Sequence, residues 1–218
     1  IDISNCLDLV YFNIFQNNIM EINVTQNSQL VYLSCHENQL TSLDVSQNLL
    51  LELLLCYKNN IQKLDVRFNL LLRSFWCQVN NLNEIWLGNN TVLYNFCASY
   101  NNLTTLTVPN SPNLNYFIVN DNNLEELIIA PNTYFNYLFF ENNQLDTLDL
   151  KDCKITHLKC FNNNLSYLHP GSSNMIEAGY NQLDSIDLED DSTLAILYCE
   201  NNNISTLDFS NCPLIIEL

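Results

Sequence analysis

The sequence has few of the residues that usually punctuate a globular fold. Its 218 residues include only three glycines and five prolines, and no helical periodicity of apolar residues continues long enough to make a helix. No stretch of 18 or more apolar residues occurs, which excludes a transmembrane helix. Leucine and asparagine dominate instead and recur in pairs. This composition is typical of repeat proteins.

Positive charge is also scarce. Seven Lys and Arg residues stand against 24 Asp and Glu residues, which gives a net charge of −17. An acidic surface of this kind repels nucleic-acid phosphates and anionic membrane headgroups. We therefore predict no nucleic-acid partner, and the lack of a long apolar stretch predicts no membrane insertion. We interpret the charge as a means of keeping a long exposed sheet soluble.

The amino-terminal residues contain no basic segment followed by an apolar one, so no secretion signal is present in this sequence. The first residues, Ile1, Asp2 and Ile3, fit the middle of a repeat better than its beginning. We expect a mature or trimmed fragment of a longer array, without capping repeats.

An 11-residue pattern recurs about every 21 residues. A clear copy is LVYLSCHENQL at 30–40, with apolar residues at positions 1, 4, 6 and 11 and asparagine at position 9. The step shortens to 20 residues after Phe135 and to 18 after Ile155. Position 1 falls at Leu9, Leu30, Leu51, Leu72, Leu93, Leu114, Phe135, Ile155, Ser173, Leu194 and Ile215.

Position 9 is the most regular column of the repeat. A buried Asn amide has two donors and one acceptor oxygen, so it can bridge the turn backbones of its own coil and the next. We interpret the column as a structural ladder of hydrogen bonds that holds the turn after each strand. Its members are Asn17, Asn38, Asn59, Asn80, Asn101, Asn122, Asn143, Asn163, Asn181 and Asn202.

A second apolar pair follows at positions 14 and 16, as in Leu43 and Val45. Alternation with a period of two indicates extended chain. Each coil is therefore predicted to have two short extended segments joined by Asn-rich turns. One coil cannot bury its apolar side chains alone, so it depends on neighbours on both sides.

This pattern resembles the bacterial leucine-rich-repeat family, motif LxxLxLxxNxL, and especially its 21-residue internalin-like subtype. The resemblance covers the whole chain and includes a second half of the repeat such as LTSLDVS at 40–46. It implies a right-handed solenoid with one parallel β-sheet of about ten strands, an extended or turn-like second side, and little or no α-helix. The subtype often has cysteine at position 6, as at Cys35, Cys56, Cys77, Cys160 and Cys199.

We expect a single domain over residues 1–218, with about ten repeats of 21 residues. The short repeats at 135–173 are irregular: His169, Pro170 and Gly171 stand where position 16 and its turn should lie, and Ser173 replaces a core apolar residue. They predict a tightened turn and a local change of curvature. We interpret them as degenerate repeats; the alternative is a functional kink.

Nine cysteines are enough for disulfides, a metal site or a reactive thiol. Adjacent parallel strands lie about 4.8 Å apart, whereas the Cβ atoms of a disulfide lie about 3.8 Å apart. The cysteines at position 6 are therefore predicted to form a ladder of buried, reduced thiols. No CxxC pair for zinc occurs. Cys97, at the outward position 5, is the one candidate for a reactive thiol.

Patterns for catalysis and metal binding are missing. His36 and His157 lie on the outward face but six coils apart, roughly 29 Å at the usual strand spacing. Asp recurs at position 15, as in Asp44 and Asp65, and 189–191 adds a charged turn, but no spacing matches a calcium loop. We interpret these carboxylates as a solvated outer face. Phosphate loops and GxSxG are also missing, so we predict no enzyme activity and no cofactor.

The outward face of the strands is unusually aromatic. Side chains at positions 3, 5, 7 and 8 project away from the core because strand side chains alternate. Exposed Tyr and Trp are typical of binding hot spots; the alternative is that aromatic residues only favour strands and stack across them. We predict one contiguous ligand-binding strip across the middle of the sheet: Tyr57, Trp76, Tyr100, Tyr116, Tyr137 and Phe139.

Together these features indicate a non-catalytic binding module that recognises a protein or peptide on the aromatic strip. The family resemblance implies a secreted or cell-surface bacterial protein and therefore an extracellular location. Glycan is a second ligand class, because rows of Tyr and Trp can stack on sugar rings. The alternative function is a structural or adhesive spacer within a larger surface protein.

Overall fold

The computed structural model describes residues 1–112, 114–188 and 191–218. These ranges form β-strands and turns, with no helical residue, and accordingly no helix that could cross a membrane is found in them. In chain order the strands are β1 (Tyr11–Asn13), β2 (Tyr32–Ser34), β3 (Leu53–Leu55), β4 (Lys63–Asp65), β5 (Ser74–Trp76), β6 (Glu84–Trp86), β7 (Asn95–Cys97), β8 (Thr105–Val108), β9 (Leu114–Ile118), β10 (Glu126–Ile129), β11 (Tyr134–Phe139), β12 (Thr147–Asp149), β13 (Lys154–Lys159), β14 (Tyr167–His169), β15 (Ser172–Glu177) and β16 (Ile196–Tyr198).

One strand from each coil joins a single parallel sheet of ten strands, in the order β1-β2-β3-β5-β7-β9-β11-β13-β15-β16. Neighbouring strands align position by position, so that Leu54 pairs with Phe75 and Phe75 with Phe96. Among the described residues, the second side of the solenoid contains three two-stranded parallel sheets, β4–β6, β8–β10 and β12–β14. The predicted solenoid, with about ten parallel strands and an extended second side, is confirmed.

The core lies between the two sides and continues from coil to coil. Position 4 shows its construction, since Phe75, Phe96 and Phe117 are fully buried in three successive coils. Their ring centroids are 5.4 and 5.0 Å apart along this row, within the range in which aromatic pairs stabilise a core beyond their buried area. Each coil therefore packs mainly on its two neighbours, as the repeat predicts.

The asparagine ladder at position 9 is present, and its bonds point to the preceding coil rather than to the following one. The Nδ2 of Asn101 donates to the carbonyl of Ala98 in its own coil at 3.0 Å and to that of Cys77 in the preceding coil at 3.2 Å. Its Oδ1 accepts from the amide of Leu82 at 2.9 Å. The same set recurs from Asn38 to Asn202.

The ladder stabilises a turn that is unfavourable for most residues. The residue before each position-9 Asn has a left-handed backbone, as at Val79 with φ of 57° and Tyr100 with φ of 54°. This conformation is costly for residues other than glycine, and especially for β-branched ones. We infer that the hydrogen bonds of the adjacent Asn hold the turn in place.

A second asparagine column, at position 19, was missed in the sequence although it has the same 21-residue spacing. Asn27, Asn48, Asn69 and Asn90 are fully buried. The Nδ2 of Asn69, for example, donates to the carbonyls of Val45 at 3.0 Å and Asn48 at 2.9 Å. The amino-terminal half of the solenoid therefore has two amide ladders, one at each end of the second side.

Asp191 occupies position 19 in its coil, and the prediction that it belongs to a solvated charged turn is wrong. It is only 1% exposed. Its Oδ1 accepts from the amide of Ser173 at 3.0 Å and from Thr193 Oγ1 at 3.1 Å, whereas Oδ2 has no partner among the described residues. Burial raises the pKa of this carboxyl to about 6. Glu189 and Asp190, the rest of that turn, lie outside the described residues.

The strands of the irregular repeats keep their register in the ten-stranded sheet, and the chain is shorter on the second side of the solenoid. Gly171 has φ of +66°, and a Cβ there would clash with the carbonyl oxygen of Leu150. Its amide donates to His169 Nδ1 at 3.2 Å. Ser173 is fully buried, and its hydroxyl donates to the carbonyl of Pro170 at 2.8 Å. The backbone at Gly171 is thus left-handed, while the tightened turn and the change of curvature stay predictions.

Replacing a ladder residue is expected to destabilise the fold. Asn101→Ala removes the partner of the Leu82 amide and should lower the free energy of unfolding by roughly 1–3 kcal/mol. The adjacent Asn102 is exposed, so Asn102→Ala should change it much less. Urea denaturation of both variants tests this, and equal losses would contradict a structural role for the ladder.

Asp191→Asn is expected to stabilise the protein at neutral pH. The folded-state pKa of Asp191 is raised from 3.8 to about 6, so the folded protein retains this proton over a pH range in which the unfolded chain has lost it. Its contribution to stability therefore falls as the pH rises through that range. Asn is neutral and occupies the same position in Asn27, Asn48, Asn69 and Asn90, so the variant's free energy of unfolding should rise by roughly 1–3 kcal/mol at neutral pH.

Thermal unfolding between acidic and neutral pH measures this gain, with Asp184→Asn, at an exposed position, as the control. A variant that is less stable than the parent at neutral pH would mean that the buried carboxylate stabilises the coil.

Candidate binding surface

The outward face of the ten-stranded sheet consists of the side chains at positions 3, 5, 7 and 8. Along β11 the alternation is direct: Tyr137 and Phe139 are half-buried on this face, while Leu138 between them is fully buried in the core. The sheet therefore displays one row of side chains per position, and the residues of each row come from successive coils.

Three of the six predicted strip residues are in contact. The rings of Tyr116 and Tyr137 stack with centroids 4.8 Å apart, and Tyr137 meets Phe139 edge-on at 5.7 Å. His157 meets Phe139 edge-on at 5.0 Å, and Lys159 Nζ lies 5.2 Å from the centroid of the Phe139 ring. We call Tyr116, Tyr137, Phe139 and His157 the central cluster.

Tyr57 belongs to a different group of rings. It stacks on His36 with centroids 4.2 Å apart, and His36 stacks on Phe15 at 4.8 Å. Burial lowers the pKa of His36, which favours the neutral imidazole, and its Nδ1 lies 2.9 Å from Ser34 Oγ. Burial raises the pKa of Tyr57. We call Phe15, His36 and Tyr57 the amino-terminal stack.

Trp76 and Tyr100 make no ring contact within the described part of the chain. Trp76 is half-buried, and two residues without rings, Cys97 and Ile118, separate it from Phe139 in the same row. Tyr100 lies on the left-handed turn, is 58% exposed, and has a pKa raised chiefly by the charge of Asp121. The aromatic rings therefore form separate groups rather than one continuous row, and the binding role of the six residues stays a prediction.

The strip also omitted aromatic partners that the repeat spacing could have revealed. Tyr11 and Tyr32 share position 3 in adjacent coils, and their rings stack at 4.0 Å. Phe15, His36 and Tyr57 share position 7 in three adjacent coils. A search for rings that recur at 21-residue spacing would have found both stacks.

Charged groups border the central cluster on its carboxyl-terminal side. Glu177 Oε1 lies 2.7 Å from His157 Nε2 and 3.1 Å from Lys159 Nζ. Glu141 is half-buried, its Oε2 has no hydrogen-bond partner among the described residues, and burial raises its pKa. The face thus changes from aromatic to acidic along the solenoid.

The position-6 cysteines are buried as predicted, except for Cys199, which is half-buried. Burial raises the pKa of Cys35 to about 12 and that of Cys56 and Cys77 well above the usual range. Cys97 is also buried, at 9% exposure, and burial raises its pKa. The prediction of a reactive thiol at Cys97 is therefore wrong: although it points outward, it is covered, and a raised pKa leaves little thiolate.

The recurring Asp at position 15 has a structural explanation. The Oδ1 of Asp44 accepts from the amide of Ser46 at 2.9 Å, and that of Asp149 accepts from the amide of Lys151 at 3.0 Å. Such contacts are typical of Asp in turns. Asp44 and Asp149 are exposed, in agreement with a solvated outer face. In the described ranges no group of three or more His, Cys, Asp or Glu side chains converges as a metal site would require.

The thiols should differ in reactivity according to burial. Cys6 is exposed whereas Cys97 is buried, so a thiol reagent should modify Cys6 in the native protein and reach Cys97 only after unfolding. Mass-spectrometric mapping of the labelled peptides measures both, with urea-unfolded protein as the control in which all nine cysteines react. Labelling of native Cys97 as fast as Cys6 would contradict its burial.

Neither a protein-family model nor a curated protein sequence matches the chain, but solved structures do. The functional domain of InlJ from Listeria monocytogenes, which includes a cysteine ladder, is 25% identical over all of this chain and 54% of that one, with a TM-score of 0.71. The leucine-rich repeat domain of APL1B is 19% identical over 88% and 62%, at 0.74. YopM from Yersinia enterocolitica WA-314 is 23% identical over 98% and 52%, at 0.68. The chain thus spans 52% to 62% of the length of these structures.

Proposed function

We propose that this internalin-like leucine-rich-repeat solenoid is a non-catalytic binding module of a secreted or cell-surface bacterial protein, and that it binds a protein or peptide on the outward face of its ten-stranded sheet. The central cluster is the observation that carries the proposal. Tyr116 is 38% exposed, yet its ring is held by stacking on Tyr137. Rigid, partly exposed aromatic rings bind protein surfaces at low cost in side-chain entropy.

The scaffold beneath the face favours tight binding. Each turn next to the face is held by the amide of a position-9 Asn, as at Asn101 and Asn122. A preorganised backbone loses little further freedom when a partner binds, so more of the contact energy becomes affinity. The central cluster extends into the irregular repeats, where the amides of Asn143 and Asn163 keep the same hydrogen bonds.

Stacking between the rings reduces the number of ring faces that are open to a glycan ligand. The planes of Tyr116 and Tyr137 differ by only 6°, and those of Tyr11 and Tyr32 by 9°. Each stacked pair therefore covers one face of each ring. Sugar binding by stacking needs an open ring face, whereas contacts with a protein also use ring edges and hydroxyl groups. The spacer function remains the alternative, and it requires no ligand on this face.

The buried thiols are compatible with an extracellular location. Free cysteines are readily oxidised outside the cell when they are exposed and ionised. The ladder residues Cys35, Cys56 and Cys77 are fully buried, and their pKa values are raised by burial. Such thiols would stay reduced without the protection of a reducing compartment.

The two tryptophans of the chain provide a matched test of the proposal. Trp76 lies on the outward face of the large sheet, whereas Trp86 lies in β6 on the second side and is 38% exposed. Trp76→Ala and Tyr116→Ala should each weaken binding of a captured partner by about 2 kcal/mol or more, because both remove a ring from the face. Trp86→Ala should leave the affinity unchanged.

Partners are first captured from the natural surroundings of the protein, and their affinities are then compared by calorimetry with thermal unfolding of each variant as the folding control. Equal binding by the parent, Trp76→Ala and Tyr116→Ala proteins would favour the spacer function. Selective binding on a glycan array, without a protein partner, would favour the sugar-binding alternative.

A further inference from the structure

The outward face of the ten-stranded sheet lacks a side chain at one place in its row of position-7 residues. Gly179 is the glycine of this row and leaves a pocket of about 390 Å³ lined by Phe161, Glu177, Gly179, Tyr180, Tyr198 and Glu200. This volume lies within the usual range for small-ligand sites. The residues of the row are Phe15, His36, Tyr57, Gln78, Ser99, Asn120, Glu141, Phe161, Gly179 and Glu200.

Gly179 provides open space rather than an unusual backbone conformation. Gly171 is the glycine with a left-handed backbone in the described residues, so Gly179 has a conformation that other residues adopt. A Cβ at Gly179 would lie 2.6 Å from Glu200 Oε1. The carboxylate of Glu200 therefore lies directly over the position that a side chain would fill.

Three aromatic rings form the walls of this pocket. Phe161 precedes the gap in the same row, Tyr180 is the next residue after Gly179 and is 56% exposed, and Tyr198 comes from the following coil. The Tyr198 hydroxyl donates to Glu217 Oε1 at 2.6 Å, which restrains that ring. Aromatic faces beside an open space are suited to a hydrophobic stem or to a cation.

The pocket is strongly acidic. Glu177 already pairs with His157 and Lys159, whereas none of the ion pairs in the described residues involves Glu200, which is exposed. Residues 160–218 contain nine of the 24 acidic residues and none of the seven basic ones. The local field therefore attracts a cation.

The neighbouring coils show the same chemistry within the chain itself. Lys159 Nζ lies 5.2 Å from the centroid of Phe139 and 3.1 Å from Glu177 Oε1. An ammonium group is thus already held between an aromatic ring and a carboxylate on this face. The pocket beside Gly179 offers rings and a carboxylate of the same kind, without a basic side chain of this chain in its lining.

We propose that this pocket binds a lysine or arginine side chain of the protein or peptide partner. The cationic head pairs with Glu200 and lies against the rings of Phe161 and Tyr180, while the aliphatic stem packs toward Tyr198. The inference depends on the proposed function for the nature of the partner. The pocket itself is independent of it and can be tested with a short peptide.

The test is an NMR titration of isotope-labelled protein with a capped Gly-Lys-Gly peptide, and with the same peptide in which norleucine replaces lysine. The lysine peptide should shift the amide signals of Gly179, Tyr180 and Glu200 saturably, and high salt should weaken its binding because the pairing is partly exposed. The norleucine peptide has the same stem without the charge and should cause little change.

Two variants test the pocket: one removes its charge alone, and the other fills its space, which also displaces the Glu200 carboxylate. Glu200→Gln removes the carboxylate and should weaken binding of the lysine peptide by about fivefold or more. Gly179→Leu fills the gap and should abolish the binding; nine other coils carry a side chain at this position, and thermal unfolding checks that the variant folds. Glu126→Gln, on the exposed surface of β10, makes the same charge change elsewhere and should have no effect.

Equal binding of the two peptides, or parent-like affinity in the Glu200→Gln protein, would overturn the proposal. These results are distinguishable from failure of the proposed function. If Trp76→Ala and Tyr116→Ala leave partner binding unchanged while the lysine peptide still binds at Gly179, the pocket is supported, and docking of the partner on the outward face around these residues is contradicted. If those two variants weaken partner binding while the lysine peptide does not bind at Gly179, only the pocket proposal is contradicted.

Discussion

The side-chain amide at position 9 is the interaction on which the rest of the solenoid depends. From Asn38 onward each one satisfies backbone groups in two coils at once, as Asn59 does for Cys35, Leu40 and Cys56. Unpaired backbone groups at these buried turns would be costly. The amides must therefore stay in register, which explains where the short repeats lose residues. Their strands and position-9 Asn are retained, and the larger shortening, of three residues in the repeat that starts at Ile155, falls on the second side at His169–Gly171.

The fold was predictable from the sequence because its determinants are periodic. A 21-residue spacing of apolar residues and Asn fixes which side chains point inward, and the parallel sheet follows. The errors concern positions where exposure depends on neighbouring coils. Cys97 points outward but is buried on the sheet, and Asp191 takes the place of an Asn in a buried column. Neither outcome can be derived from alternation along a single strand.

The binding face was predictable only in part for the same reason. Alternation correctly placed Tyr116, Tyr137 and Phe139 outward, but contacts between rings depend on rotamers and on the residues between them. The pocket at Gly179 was not predicted because it results from the absence of a side chain. This absence is visible only when position 7 is compared between successive coils. The composition of the outward face changes along the solenoid, with stacked rings in the first coils and carboxylates in the last ones. Different parts of one partner would therefore contact different chemical groups.

The left-handed backbone at position 8 connects the position-9 amide ladder to the outward face of the sheet. Tyr100 and Tyr180 both have φ of 54°, and each directly precedes a ladder Asn. If the amide of that Asn were lost, the turn could relax toward a less costly conformation, and the exposed ring would then be redirected. A substitution beneath the surface could thus abolish recognition in a protein that is still folded. The orientation of these tyrosines is in this sense controlled from the core, one residue away.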